Sequence, residues 1–176
     1  MKLLLKLDKL EQVAVRIEET VVISLLLGLA TLQITQVLFR YFLNQPLHWV
    51  DESSRFVFAF MIMIGAGLAT AKAAQFSIDF IKESMPIELQ LIADIIVRVG
   101  IITFAIILLR NGMKLALATS GQTTASLQIP YTFPYSSLPV GASLVLFHAL
   151  MGIPKHVQRA LGYKRPPAED TPRGLQ

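Results

Sequence analysis

The chain contains no cysteine, which excludes disulfides, thiolate metal sites and cysteine nucleophiles. Charge is scarce, with Asp, Glu, Lys and Arg making up 16% of the 176 residues. The three histidines, His48, His148 and His156, are scattered and have no second ligand at helical spacing, so no metal site is expected. No strand-like alternation occurs, and no glycine-rich phosphate loop follows a strand. Asp51 and Glu52 are adjacent carboxylates, but neighbours on a helix point about 100° apart and cannot share a proton. Ser53 and Ser54 follow with no base in register. Nothing here assembles a catalytic constellation, and neither an enzyme nor a cofactor is expected.

What is abundant is apolar surface: 53% of the residues are hydrophobic, too many for an ordinary soluble domain of this size. Apolar stretches lie at about 20–43, 56–74, 89–109 and 131–153. A helix rises about 1.5 Å per residue, so roughly 20 residues cross the hydrocarbon core. The expected fold is an all-α integral membrane domain of four transmembrane helices, with short amphipathic surface helices beside them. It covers about residues 1–160, and a polar, proline-rich, disordered tail follows over 161–176. The first apolar run is longer than the core of a cleavable leader and is expected to remain as a span.

The net charge of +4 does not point to nucleic acid, because the basic residues are sorted by segment. The N-terminal stretch holds Lys2, Lys6, Lys9 and Arg16, the segment between spans two and three Lys72 and Lys82, and the C-terminal stretch Lys155, Arg159, Lys164, Arg165 and Arg173. Residues 41–54 carry no Lys or Arg, and only Lys114 lies between spans three and four. Basic residues mark the cytoplasmic side, so both termini and the middle segment are expected inside. Arg40, Arg55 and Arg110, at outer helix ends, run against that rule and need their own account.

Leu3, Leu7, Leu10, Val13 and Ile17 recur every three or four residues. This period reads as an amphipathic helix over about 2–16 lying on the inner surface, or alternatively as a simple extension of span one. Residues 71–86 show the same habit through Phe76, Phe80 and Ile81. In span three, Asp94 and Arg98 are one turn apart and can pair on one face. A structural pair with Arg98 snorkelling inward is favoured over an ion relay. Pro130, Pro134 and Pro139 crowd the start of span four, which either begins late, near Ser136, or begins with a kink.

Gln33, Gln36 and Arg40 form one polar stripe on span one, and such a stripe should face protein. Gly65, Ala66, Gly67, Ala69 and Ala73 allow close helix approach on span two. Inverted repeats and broken midplane helices, the usual signs of a self-contained transporter, are missing. A small homodimeric exporter is the competing reading; Asp94 is its one candidate embedded carboxylate, poorly suited beside Arg98.

A resemblance then becomes specific. Gln36-Val37, Arg40-Tyr41, Asn44, Trp49, Glu52 and Arg55 follow in order, with Gly65-Ala66 beyond them. This set resembles the signature of the DctQ-type small membrane subunit of tripartite ATP-independent periplasmic (TRAP) transporters. Ile129-Pro130 and Leu138-Pro139-Val140-Gly141 match a second family element, and the similarity covers about residues 10–155. Where the family usually has a His before its later Asp, this chain has Gln75 ahead of Asp79.

The resemblance implies a bacterial or archaeal inner-membrane scaffold, wrapped against a large membrane subunit that carries the substrate and sodium sites. A periplasmic binding protein would deliver an organic acid such as a dicarboxylate or sialic acid. Gln33, Gln36, Arg40, Trp49, Glu52, Arg55, Asp94 and Arg98 become the candidate interface or structural residues, with Trp49 as an aromatic anchor among membrane lipids. Glu52 is placed to bridge Arg40 and Arg55; snorkelling of the three groups without partners is the alternative.

Overall fold

The computed structural model of the chain describes residues 2–75 and 87–153. Three long helices, α1 (Lys2–Phe42), α2 (His48–Gln75) and α3 (Ile87–Ala118), are followed by one helical turn, α4 (Thr132–Tyr135), and by α5 (Ser137–Met151). Four segments are long and apolar enough to cross a membrane: Asp8–Phe42, His48–Lys72, Ile92–Ala118 and Thr132–Met151. Among the described residues the only β pairing is an isolated bridge between Thr123 and Pro130. The expected middle-segment surface helix beyond Gln75 and the expected disordered tail lie outside the described residues.

One expectation needs correction. The segment 2–16 is not a separate surface helix, because α1 runs without a break from Lys2 to Phe42. The extension reading holds, for a plain reason: no glycine precedes Gly28 and no proline precedes Pro46, so nothing interrupts the hydrogen-bond ladder. Its inward positions are Glu11, Val15, Glu18, Val22, Leu25, Leu29, Leu32, Gln36 and Phe39, all buried or half-buried. Their spacing alternates four and three, the seam of a helix packing nearly parallel to its neighbour.

α3 also outruns its expected end near residue 109 and carries Arg110 and Lys114, both exposed, on its last turns. The prolines before the fourth span act as anticipated. Pro134 sits in the single turn of α4, and Pro139 falls in the first turn of α5. A first-turn position needs no intrahelical donor, so the missing N–H costs little there.

α2 packs along α1 and α5, and α5 packs along α2 and α3. The spans therefore stand in the spatial order α1, α2, α5, α3, and the two flanking helices do not pack along each other. Small residues set the spacing. A Cβ on Gly67 would stand 2.7 Å from Leu144 Cβ, and one on Gly141 would stand 2.6 Å from the Met63 carbonyl oxygen. A Cβ on Gly112 would approach Leu138 Cβ to 2.8 Å. Gly65, by contrast, faces open space.

The buried apolar residues are mostly alanines: Ala71, Ala105, Ala116, Ala142 and Ala149, joined by Val50. Large side chains such as Leu27, Ile96 and Phe104 point outward and are more than 60% exposed. This inverts a soluble core and matches helices that associate by close backbone approach in lipid.

Candidate functional site

Polar side chains gather in two layers, one near each end of the spans. Glu19 to Gln36 on α1 rises about 26 Å, and Asp51 to Lys72 on α2 about 32 Å, at 1.5 Å per residue. Those heights bracket the roughly 30 Å hydrocarbon core. The layers therefore fall where polar groups reach the boundaries of the apolar slab.

One layer starts at the turn between α1 and α2. Asn44 closes it with φ 51°, a left-handed conformation that Asn tolerates better than most residues. Across this hairpin Gln36 Nε2 donates to Asp51 Oδ1 at 2.6 Å. One residue on, Glu52 Oε2 accepts the backbone N–H groups of Ser126 at 3.0 Å and Leu127 at 2.8 Å. The segment it holds is itself ordered. Thr124, fully buried, donates its N–H to the Ile129 carbonyl at 2.9 Å, and Tyr131 donates to the Gln122 carbonyl at 2.9 Å. Gln128 makes the tight reversal with φ 55°. Thr132 Oγ1 then donates to the Ala116 carbonyl at 3.0 Å, tying α4 to the end of α3.

Glu52 thus does not form the bridge that the sequence suggested. Neither Arg40 nor Arg55 makes an ion pair with it; both are exposed, and Arg40 lies 6.0 Å from the Tyr41 ring centroid. The reason is position: each guanidinium extends to solvent at a helix end, while two backbone donors already converge on the carboxylate. The polar stripe of span one also splits. Gln36 turns inward to Asp51, whereas Gln33 and Arg40 stay on the exposed face. Trp49 remains 44% exposed, placed as an interfacial aromatic would be.

The layer at the opposite end, around Glu19 and Lys72, joins all four spans. Lys72 of α2 pairs with Glu19 of α1 at 2.8 Å. His148 Nε2 of α5 and Glu18 Oε1 of α1 are 2.8 Å apart, both residues buried. Arg98 of α3 donates from Nη1 to the Ala149 carbonyl at 2.5 Å, and its guanidinium lies against Gly152, where a Cβ would clash. Ala149 belongs to the last turn of α5, whose carbonyls lack intrahelical donors, so Arg98 caps that end and opposes its dipole. Asp94 and Glu11 both act electrostatically on Arg98. The Asp94–Arg98 neighbourhood read from the sequence is therefore present, extended by Glu11 and by the α5 terminus.

Glu11, Glu18 and His148 escaped the sequence reading. The signal for the glutamates was available: both fall on the four-three seam with Val15, Val22 and Leu25, where a solvated face should not lie. His148 gave no comparable signal, since its partner is 130 residues away.

Four apolar spans with polar ends define a multi-pass helical membrane protein, and no group of three or more His, Cys, Asp or Glu among the described residues could hold a metal. A family model described as tripartite ATP-independent periplasmic transporters, DctQ component, matches residues 29–159, and the chain belongs to that family. It is a small TRAP transporter permease subunit, a transporter component and not an enzyme. The sialic acid TRAP transporter small permease protein SiaQ of Vibrio cholerae is 27% identical over 160 residues, covering 90% of this chain and 91% of that one. The isethionate TRAP transporter permease protein DctMQ of Oleidesulfovibrio alaskensis is 30% identical over 132 residues. The sialic acid TRAP transporter permease protein SiaT of Haemophilus influenzae is 24% identical over 132 residues. The matched stretch covers 70% and 75% of this chain, and only 21% of the length of either of those two relatives.

Proposed function

We propose that this chain is the stationary scaffold of a sodium-coupled organic-acid importer in the cytoplasmic membrane. In this reading a large permease subunit carries the substrate and sodium sites, and a periplasmic binding protein delivers the acid. The observation that carries it is the open order α1, α2, α5, α3. Apolar rows on α1 and α3 are left uncovered by the chain itself, among them Leu26, Leu27, Ile34, Ile95, Ile96 and Phe104. Such rows fit a wall applied to a larger membrane body.

The relatives support a partner of that kind. In DctMQ and SiaT, the stretch that matches is about a fifth of a longer permease chain. Among the described residues no group of three or more His, Cys, Asp or Glu could hold a metal, whereas a hard cation takes several converging oxygen ligands. The outer segment pinned by Glu52 offers an ordered surface on the side where a binding protein would arrive. The substrate class rests on the resemblance and on relatives named for sialic acid and isethionate.

The test is reconstitution with the large subunit. Uptake should require this chain, while Asp94→Asn combined with Arg98→Gln should leave sodium stoichiometry and substrate preference unchanged in complexes that form. A changed stoichiometry or preference would place this chain on the transport path and end the scaffold reading.

A further inference from the structure

Arg110 stands against the sorting of basic residues by segment, and contacts within the chain give no account of it. It lies on α3 four residues before Lys114, so the two cations stack on one exposed helix face, about 6 Å apart along the axis. Neither forms an ion pair among the described residues. The helix dipole does not explain them either. Its field fades within the last turn, and the last turn of α3 holds no basic residue. Like charges at this spacing repel, so the pair costs stability unless an anion lies between them.

The surroundings define the anion. Lys114 and Arg110 precede the end of the apolar span at Ala118 by about 6 and 12 Å along the axis. Long basic side chains at that depth snorkel to the level of the lipid phosphates. Farther along the span the same face continues, at helical spacing from Arg110, as Ile107, Ile106, Val99 and Ile96, each at least 50% exposed. From Ile107 to Ile96 the row runs about 16 Å, close to half of the roughly 30 Å hydrocarbon core and so to the depth of one leaflet. We propose that Arg110 and Lys114 hold the phosphate of a net-anionic phospholipid whose acyl chain lies along this row. The guanidinium donates to two phosphate oxygens as a fork, and the ammonium acts as a point charge beside it. A zwitterionic headgroup suits the place less, because its own ammonium meets two cations. A carboxylate of a partner protein would satisfy the charge, but the apolar row at acyl-chain length below the cations favours a lipid. The site belongs to this chain by itself and stands apart from the scaffold role.

The full-length chain in detergent is titrated with phosphatidylglycerol and, separately, with phosphatidylethanolamine of the same acyl chains, and bound lipid is read by native mass spectrometry. The native chain is expected to prefer phosphatidylglycerol. A basic group beside anionic lipid contributes about fivefold in affinity, so Arg110→Gln with Lys114→Gln should weaken phosphatidylglycerol binding roughly thirtyfold. Phosphatidylethanolamine binding should change little. A second variant, Arg110→Gln with Asn111→Arg, keeps the net charge but turns one cation about 100° off the face. It should lose most of the preference as well, and it decides alone should the double variant fail to fold. Binding by this second variant equal to that of the native chain would show that net charge, not a built site, attracts the lipid, and would overturn the proposal. In the complex assembled with the large subunit, carbodiimide coupling of Lys114 to a carboxylate of that subunit, with no phosphatidylglycerol retained, would give the site to a protein partner and overturn it too.

Discussion

Glu52 Oε2 accepts the backbone N–H of Leu127 at 2.8 Å, joining residues 75 positions apart in the chain. The contact fixes the segment between α3 and α4 over the start of α2, with Ser126 donating to the same oxygen. A carboxylate that satisfies two loop amides does more to order this end of the bundle than a side-chain ion pair at a solvated helix end, because exposed pairs contribute little.

Replacing Glu52 by Gln should therefore loosen residues 122–131 and leave the spans intact. Hydrogen exchange at Ser126 and Leu127 is expected to speed up about tenfold, in line with the loss of a charge-assisted hydrogen bond. Asp51→Asn serves as the comparison, since the amide can still meet Gln36. Equal exchange in the two variants would show that Glu52 does not hold the segment.

The helix spacing makes a sharper demand. Gly141→Ala forces a Cβ into the Met63 carbonyl, where only backbone movement gives room. Such overpacking is expected to destabilise the chain by about 1 to 3 kcal/mol. Gly65→Ala meets nothing within 4 Å and should be neutral or mildly stabilising. Thermal melting of the two variants in the same detergent separates them, and similar losses would contradict the packing described between α2 and α5.

Arg98→Gln removes the cap on the last turn of α5. The expected cost is about 1 to 2 kcal/mol, at the lower side for a charged donor because the guanidinium is partly solvated. Lys at this position should recover less than half of the loss, since it lacks the planar fork that lies along Gly152. Full recovery with Lys would reduce the role of Arg98 to charge alone.

Topology is open to direct measurement. Reporter fusions after Asn44 and Gln122 are expected to read as periplasmic, and fusions after Lys82 and Gln176 as cytoplasmic. The expectation rests on about eleven basic residues in the inner segments against Lys114 in the outer ones, with Arg40, Arg55 and Arg110 set apart at helix ends. A periplasmic signal after Lys82 would overturn the orientation.

The existence of four spans, a proline-disturbed start to the fourth and the absence of catalytic machinery were legible in the sequence. Each follows from quantities carried by single residues and their near neighbours: hydropathy summed over a helix length, proline's missing donor, the lack of any clustered nucleophile or ligand. The ordered set from Gln36 to Arg55 was legible as a family signature, yet its internal wiring was not. Glu52 turned to Ser126 and Leu127 rather than to Arg40 and Arg55, and Gln36 left its stripe to meet Asp51.

What the tertiary structure alone decided is which surfaces face each other. The order α1, α2, α5, α3 depends on how closely Gly67, Gly141 and Gly112 let backbones approach, and that depends on relative helix rotation and depth. Hydropathy contains neither. The same two variables bring His148 to Glu18 and Arg98 to the Ala149 carbonyl, across 130 and 51 residues of sequence. Local periodicity could place Glu18 on a buried seam, but only the packed helices could give it a partner.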